Sequence, residues 1–345
     1  MALCIKVPKK EANKVKIELI RNKNLNNKYK VISDKENIYF PINKEFKTKY
    51  KTTNKKLDSM KQEITSLKTA LKKILTKKEI EMVKTAYDLV GDIAILEIDE
   101  ELRKKEKDIA KALLKIRKDV KTVLRKQGSH EGVFRTQKMK YLAGEKKKIA
   151  LHKENNIKLK LNVETVYFSP RLSTERKRIT ELVKKSKKKE DILIMFSGCS
   201  PYCCVLARNA KDKINSIIGI EINPEGHKYA LENIKLNKLT NVGLNNGDVK
   251  KIVPKLVKLN KKYDRILMPL PKLAEDFLGE ALAVSKKDTI IHFYNFLHEK
   301  EFEKAEQMIK KACVKAKKKY KILKFVKCGQ HSPGTYRICL DFKIV

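Results

Sequence analysis

The chain has 345 residues, too many for one small domain and suited to two or three. Apolar residues make up 41% of it, enough for real cores, while lysine plus arginine number 81 against 41 aspartates and glutamates. The resulting formal charge of +40 exceeds what solubility needs and points to a polyanionic partner, RNA or DNA ahead of an acidic membrane surface. The seven cysteines are scattered, odd in number and free of any Cys-x-x-Cys pair, which argues against a zinc site or a disulfide framework. Apolar runs are strand-sized, and the N-terminus reaches Lys9 and Lys10 too soon for a signal-peptide apolar region. A reduced, cytoplasmic protein is expected, without membrane or metal and acting as a monomer.

In chain order, residues 1–44 read as a small α/β module. Leu3 to Val7 alternate as a strand, Lys9 to Arg21 form a helix with Val15, Ile17, Leu19 and Ile20, and two strands follow at Tyr29–Ser33 and Ile38–Ile42. The next stretch, 45–79, is rich in lysine. Leu57, Met60, Ile64, Leu67, Leu71 and Ile74 step by three and four, which predicts a helix with a narrow apolar seam. Packing on its own protein is the preferred reading, with a coiled-coil partner or an interdomain connector left open. Residues 80–165 read as an α+β domain: two short strands within Leu89–Ile98 around Gly91–Asp92, then a charged helix from Glu100 to Arg125 with Ile109, Leu113, Ile116 and Val120 on one face.

From Asp191 the pattern becomes strand, helix, strand, helix. Strands are predicted at Asp191–Phe196, Ser216–Glu221, Val242–Leu244, Tyr263–Met268 and Thr289–Tyr294, with helices between them and a long one over Glu299–Lys319. The last two strands, Lys321–Lys327 and Tyr336–Ile344, have no helix between them, which suits an antiparallel pair. Repeated βα units predict a parallel sheet covered on both faces over 166–345.

Ligands of such sheets bind at the carboxyl ends of the strands. Three tips carry suitable chemistry. After the first come Phe196, Ser197, Gly198, Cys199, Ser200 and Pro201: Gly198 permits close backbone approach, Ser200 is placed to cap the next helix, and Pro201 fits its first position. The second ends in Glu221, a carboxylate for ribose hydroxyls; the third leads to Asp248, an acceptor for an adenine amino group. The loop lacks the third glycine of Gly-x-Gly-x-x-Gly, and no Walker A sequence is present, so S-adenosylmethionine is favoured over NAD or ATP.

These residues resemble the archaeal and eukaryotic tRNA guanine-37 N1-methyltransferases and their relatives, the wybutosine-pathway aminocarboxypropyltransferases. The matching stretches are Leu142–Glu145, Ile149–Asn155 (IALHKEN), Val166–Leu172 (VYFSPRL), Glu175–Arg176, Glu221–Pro224, Glu232–Lys238, Asn246–Asp248 and Ile291–Tyr294. The resemblance is good over residues 130 to 345 and looser before. It implies a Rossmann-like class I methyltransferase domain at the C-terminus, preceded by a small α/β module for the outer corner of tRNA and an α+β RNA-binding domain for the anticodon arm. It makes Glu175 the general base and Arg135 the group that stabilises charge on the guanine oxygen. Tyr167, Pro269 and Pro271 fall beside the target base, and Arg176, Phe196, Gly198, Glu221, Ile222, Asp248 and Val249 around the cofactor. On the residues alone, Glu175–Arg176 reads as a charged helix start, and Arg135 fits a phosphate contact equally.

The implied chemistry asks for such groups. Guanine N1 carries a proton at neutral pH that a carboxylate must remove, and the charge left on the ring oxygen suits a guanidinium. The base must also leave its stack to be reached. The chain departs from the family at three positions: Ile194 replaces an acid, Ser200 a glycine, and Pro269 an asparagine that contacts the target base. Two other outcomes stay open, aminocarboxypropyl transfer to a wyosine precursor and a non-catalytic tRNA-binding paralogue.

Overall fold

The computed structural model describes residues 1–59, 66–270 and 272–345. Two compact units divide the chain, Met1–Thr69 and Ala70–Val345. In the first, β1 (Ala2–Pro8), α1 (Ala12–Arg21), β2 (Ile32–Ser33), β3 (Asn37–Pro41) and β4 (Thr52–Lys55) build an antiparallel sheet in the order β2-β3-β1-β4. Val15 and Leu19, four residues apart on α1, join Ile5, Val7, Phe40 and Ile42 in its core. Ile17 and Ile20 fall on the other side of the helix and are exposed.

The lysine-rich stretch is not one helix. β4 pairs with β1, so Leu57 follows a strand, and Met60 and Ile64 lie outside the described residues. Beyond them stand only α2 (Leu67–Leu71) and α3 (Lys77–Met82), with Ile74 in the turn between. Two local signals flank the seam on either side. Thr52 and Thr53 are β-branched and find a strand partner. Thr76 and Glu79 form a capping box that starts a new helix (Thr76 N to Glu79 Oε2, 2.8 Å; Glu79 N to Thr76 Oγ1, 3.3 Å).

In the second unit, β5 (Asp88–Val90) and β6 (Ile93–Leu96) form the expected hairpin around Gly91–Asp92. The helix expected over 100–125 is shorter. A 3-10 turn, Glu100–Lys105, leads into α4 (Glu106–Ile116), and Val120 is buried in the connection that follows. Thr122 to Glu131 is instead β7, parallel to β6, so α4 serves as the crossover that such a pair requires. β8 (Thr136–Gly144) returns beside β7. The hairpin of β9 (Ile149–Glu154) and β10 (Ile157–Asn162) pairs only with itself. Its Leu159 and Leu161 share a core with Leu124 of β7 and with Cys204, Val205 and Tyr229 of two helices that follow.

Those helices belong to the C-terminal layers: α5 (Ser173–Lys184), β11 (Glu190–Met195), α6 (Pro201–Asn209), β12 (Ile214–Glu221), α7 (Pro224–Leu236), β13 (Val242–Asn246), α8 (Val249–Lys258), β14 (Tyr263–Met268), α9 (Leu278–Ala283), β15 (Ser285–His298), α10 (Glu303–Lys315), β16 (Tyr320–Ser332) and β17 (Thr335–Ile344). The sheet order is β13-β12-β11-β14-β15-β17-β16. The first five strands are parallel, and β17 is inserted antiparallel between β15 and β16. Strands β11 and β14 are buried along nearly their whole length, as a doubly covered sheet demands. No described helix is long and apolar enough to cross a membrane.

Candidate active site

Three parallel strands end side by side at one edge of the sheet. Past β11 the chain turns sharply through Phe196 (φ 63°), Gly198 (φ 56°) and Ser200 (φ 63°) before entering α6 at Pro201. This loop is held by the next strand: the Gly198 amide donates to Glu221 Oε2 at 2.6 Å, and the Ser197 amide to the Ile220 carbonyl at 2.7 Å. Glu221 Oε1 accepts from the Asn223 amide at 2.8 Å. Burial pushes the Glu221 carboxyl above its ordinary range even though these amides oppose it. The Glu221 carbonyl accepts from the Gly247 amide and the Asn246 side chain, which ties the tip of β13 to that of β12. Asp248 follows, half-buried, capping α8 through the Lys250 amide at 2.8 Å.

Phe196, Gly198, Glu221, Ile222 and Asp248 therefore share one edge. Phe196 meets Phe277 edge-on at 4.9 Å. Val249 is adjacent, but its side chain belongs to the core and leaves only backbone for a ligand. Ser200 does not cap α6 as expected. A capping hydroxyl needs an extended backbone to reach the helix amides, whereas Ser200 is left-handed and makes no side-chain cap bond. Its Oγ and that of Ser197 are buried without hydrogen-bond partners. A glycine-bent loop, an acid at each of the next two tips and two orphaned hydroxyls suit an adenosine carrying a polar amino-acid tail.

Arg176 lies behind this edge. Its guanidinium donates to both Glu154 oxygens, at 2.5 and 2.6 Å, and to the Ser169 carbonyl at 3.1 Å. It is 2% exposed and stacks between Phe168 and Tyr202. Its donors are largely committed inside the protein, so it supports the loop from within.

The second edge starts at Tyr167, whose carbonyl lies 3.6 Å from where a Gly198 Cβ would stand. The Tyr167 hydroxyl accepts from Arg337 at 2.7 Å, and its ring meets His130 at 5.1 Å. His130 in turn reaches the Arg135 carbonyl at 2.8 Å, in the tight turn that joins β7 to β8. Partial desolvation lowers the pKa of this exposed ring, and because a carbonyl can only accept, Nδ1–H is the donor. The backbone of Arg135 (φ 53°) is thus linked to Tyr167 through His130, although 32 residues separate the two. Pro269 directly follows β14 and offers no backbone donor; the Leu270 amide turns back to the Met268 carbonyl at 2.8 Å. Pro271 lies outside the described residues.

Glu175 sits in the first turn of α5 with its side chain 4% exposed. Arg178, one turn on, donates Nε to Glu175 Oε2 at 2.7 Å and Nη2 to Oε1 at 2.8 Å, and the Tyr294 hydroxyl donates to Oε1 at 2.7 Å. Arg178 also spans to Asp341 (2.6 Å), Asp341 accepts from His292 Nδ1 (2.6 Å), and His292 Nε2 accepts from Arg265 (2.8 Å). Arg265 makes a two-pronged pair with Glu190 at 2.6 and 2.8 Å. Burial alone would raise the Asp341 carboxyl, but His292 and Arg178 outweigh it and hold it well below the usual carboxylate range. Burial pushes His292 down, towards the neutral ring. His292, Cys339 and Asp341 have ligand atoms within 4.8 Å of one another, yet Arg178 and Arg265 already supply the positive charge there.

Arg178, Tyr294, Arg337 and Asp341 are absent from the sequence-based site. A signal existed for the last two. In β17, Arg337, Cys339 and Asp341 alternate with buried Ile338, Leu340 and Phe342, which puts a polar row on one face of a strand covered on both sides.

A sheet of this order, with acids at consecutive tips beside a glycine-bent loop, defines a class I S-adenosylmethionine-dependent methyltransferase. Residues 150–323 match the TRM5/TYW2 methyltransferase domain, residues 67–147 the TYW2 N-terminal domain and residues 4–50 the tRNA methyltransferase 5 N-terminal domain. The chain belongs to the TRM5/TYW2 methyltransferase family. It is 33% identical to the tRNA (guanine(37)-N(1))-methyltransferase Trm5b of Pyrococcus abyssi, across 100% of this chain and 99% of that one. Among solved structures, it is similar to aTrm5 in complex with tRNALeu (TM-score 0.82, 30% identity, 99% of this chain and 100% of that one). It is also similar to Trm5 of Methanocaldococcus jannaschii in complex with adenosine (TM-score 0.65, 29% identity, 99% of each chain).

Proposed function

We propose that the protein methylates N1 of guanosine 37 in the anticodon loop of tRNA. The observation that carries this reading is the junction at Gly198. On one side its amide is gripped by Glu221, the ribose acceptor, and on the other it abuts Tyr167, through which Arg337, His130 and Arg135 are gathered. A cofactor edge and a base-handling edge thus meet at a single residue.

When bound, S-adenosylmethionine supplies an electrophilic methyl group. The chain's own residues do the rest. Glu221 and Asp248 accept hydrogen bonds from the nucleoside portion, the Phe196 loop lies against it, and Ser197 and Ser200 offer hydroxyls to its polar tail. Arg176 holds the loop in shape. The extruded guanine lies by Tyr167. Glu175 takes the N1 proton as the N1–methyl bond forms, and Arg135 offsets charge developing on the ring oxygen. The basic regions before residue 150 hold the RNA backbone, so binding weakens with salt. Monomeric action in the cytoplasm completes the reading. The relatives named for methylation of guanosine 37 support it, as does the relative solved with tRNALeu.

The test is methyl transfer from labelled cofactor to tRNA transcripts carrying guanosine, adenosine or inosine at position 37. Incorporation as 1-methylguanosine is expected. No incorporation at any enzyme concentration into a guanosine-37 transcript would overturn the assignment.

A further inference from the structure

Glu175 does not stand alone. It ends a chain of buried polar groups that crosses beneath α5 from the opposite end of the sheet: Glu190, Arg265, His292, Asp341, Arg178, Glu175. Arg265 and His292 side chains are 2% and 0% exposed, and Glu190, Asp341 and Glu175 are 7% or less. Burying this many charges is costly and does not by itself stabilise a fold. What such a chain does supply is a single geometry.

We propose that Arg178 is a positioning residue that aims Glu175 as proton acceptor, and that the chain behind it fixes the aim of Arg178. This rests on the assignment of Glu175 as the base. The arrangement leaves Arg178 little choice. Its Nη1 is committed to Asp341 Oδ2 at 2.6 Å, and its Nε and Nη2 form a fork on Glu175. Asp341 is held from behind by His292 Nδ1–H. The tautomer of His292 is set by Arg265, because Nε2 must accept from that guanidinium. Arg265 is fixed by its fork on Glu190.

A charge count identifies where a proton can enter. The chain holds three carboxylates and two guanidiniums around a neutral ring. It therefore carries one negative charge in excess. His292 has both nitrogens engaged inside the chain, and Asp341 and Glu190 each face a guanidinium away from the tRNA-handling edge. Glu175 is the terminal carboxylate, with three donors against the roughly four acceptor positions of a carboxylate. Protonation there brings the chain to neutrality without breaking a fork elsewhere. The groups facing Glu175 are Arg178 of α5, Tyr202 of α6, Tyr294 of β15, Cys328 of β16 and Cys339 of β17, with Asp341 of β17 beyond Arg178. Burial pushes the tyrosines and cysteines among them up, so they stay neutral and Arg178 is the only cation of the set.

The experiment compares full-length Arg178→Gln, Arg178→Lys, Tyr294→Phe and Glu175→Gln for kcat, for KM of tRNA and cofactor, and for the pH profile of kcat. Arg178→Gln is expected to lower kcat about a hundredfold, with both KM values moving by less than about twofold. Its acid limb should move to higher pH, since a buried carboxylate without its guanidinium favours the protonated form. Arg178→Lys should recover only part of kcat, because an ammonium cannot fork onto Glu175 while reaching Asp341. Tyr294→Phe keeps the packing and removes one donor, so a kcat loss of about tenfold tests the same aim even if Arg178→Gln does not fold. If Glu175→Gln abolishes turnover while Arg178→Gln or, failing that, Tyr294→Phe keeps wild-type kcat and acid limb, the positioning role is wrong. If Glu175→Gln itself turns over normally, the base assignment fails instead, and this role goes with it.

Discussion

Two buried glutamates, Glu221 at the cofactor edge and Glu175, the proposed base, are held by opposite means. Glu221 is gripped by backbone amides of Gly198 and Asn223, from residues close to it in the fold's first two βα units. Glu175 is gripped by side chains, Arg178 and Tyr294, the second brought from 119 residues away. Amides carry no net charge, and burial still raises the Glu221 carboxyl. A guanidinium carries a full charge, and the Arg178 fork sets that charge directly against Glu175. On the proposed assignments, the first carboxylate serves a neutral sugar and the second the proton of the target base.

The largest expected effect breaks the second edge. Glu175→Gln keeps the shape of the side chain and removes its basicity, so kcat for methyl transfer should fall about a thousandfold. Cofactor affinity, measured by calorimetry, should stay within about twofold if the two edges are as separate as their partners suggest. A matching loss of cofactor affinity would show that the edges are not independent.

Next in size is the support behind the loop. Glu154→Gln leaves the Arg176 guanidinium buried without its countercharge, which is expected to cost about 3 kcal/mol of stability in urea unfolding. The loss should be absent below the pH at which Glu154 protonates in the wild type. That carboxyl is held low: burial would raise it, and His152 and Arg176 outweigh burial. Its contribution is therefore complete above the ordinary glutamate range and fades as pH falls through the lowered value. Equal stability of wild type and variant at neutral pH would mean that the pair is not formed in solution.

Glu221→Gln should weaken cofactor binding about tenfold to a hundredfold, the range for hydrogen bonds to a charged group. The pH dependence follows from the raised carboxyl. A protonated Glu221 loses acceptor capacity, so cofactor affinity should drop on acidification, beginning at a higher pH than an ordinary glutamate would impose. For the free protein the sign is reversed, because a carboxyl raised by folding costs stability when ionised and ceases to do so as pH falls through its raised value. Melting without cofactor and binding measured over the same pH range should therefore move in opposite directions.

Legibility in the sequence followed the same division. The cofactor edge lies within βα units whose strand runs and turn residues are contiguous, so Phe196, Gly198, Glu221 and Asp248 can be placed by local pattern alone. Of the β-strand bounds in that domain, β14 agrees residue for residue with the apolar run at Tyr263–Met268. The base edge depends on long-range register. Tyr294 faces Cys339, and His292 faces Asp341, only because β17 enters the sheet antiparallel between β15 and β16. No local window shows that pairing, and Glu175 could be assigned only through resemblance. Where a local rule competed with tertiary pairing, at Thr122–Arg125, the helix expected to run to Arg125 gave way to the strand β7.

The smallest effect concerns Ser200, where the two edges' logic can be separated in one residue. A non-glycine residue in the left-handed region costs about 1 kcal/mol, and a buried hydroxyl without a partner adds a penalty of similar size. Glycine removes both but frees the unfolded chain by about 0.5–1 kcal/mol, so Ser200→Gly should raise stability by only about 1 kcal/mol. If the hydroxyl serves the polar tail of the cofactor, the same variant should bind cofactor several-fold more weakly while melting higher. A variant that melts lower would mean that the hydroxyl has a partner in the free protein, and the orphaned Oγ would then be no guide to the ligand. A variant that melts higher with unchanged cofactor affinity would confine the cofactor edge to Gly198, Glu221 and Asp248, leaving the serine as backbone strain without a binding role.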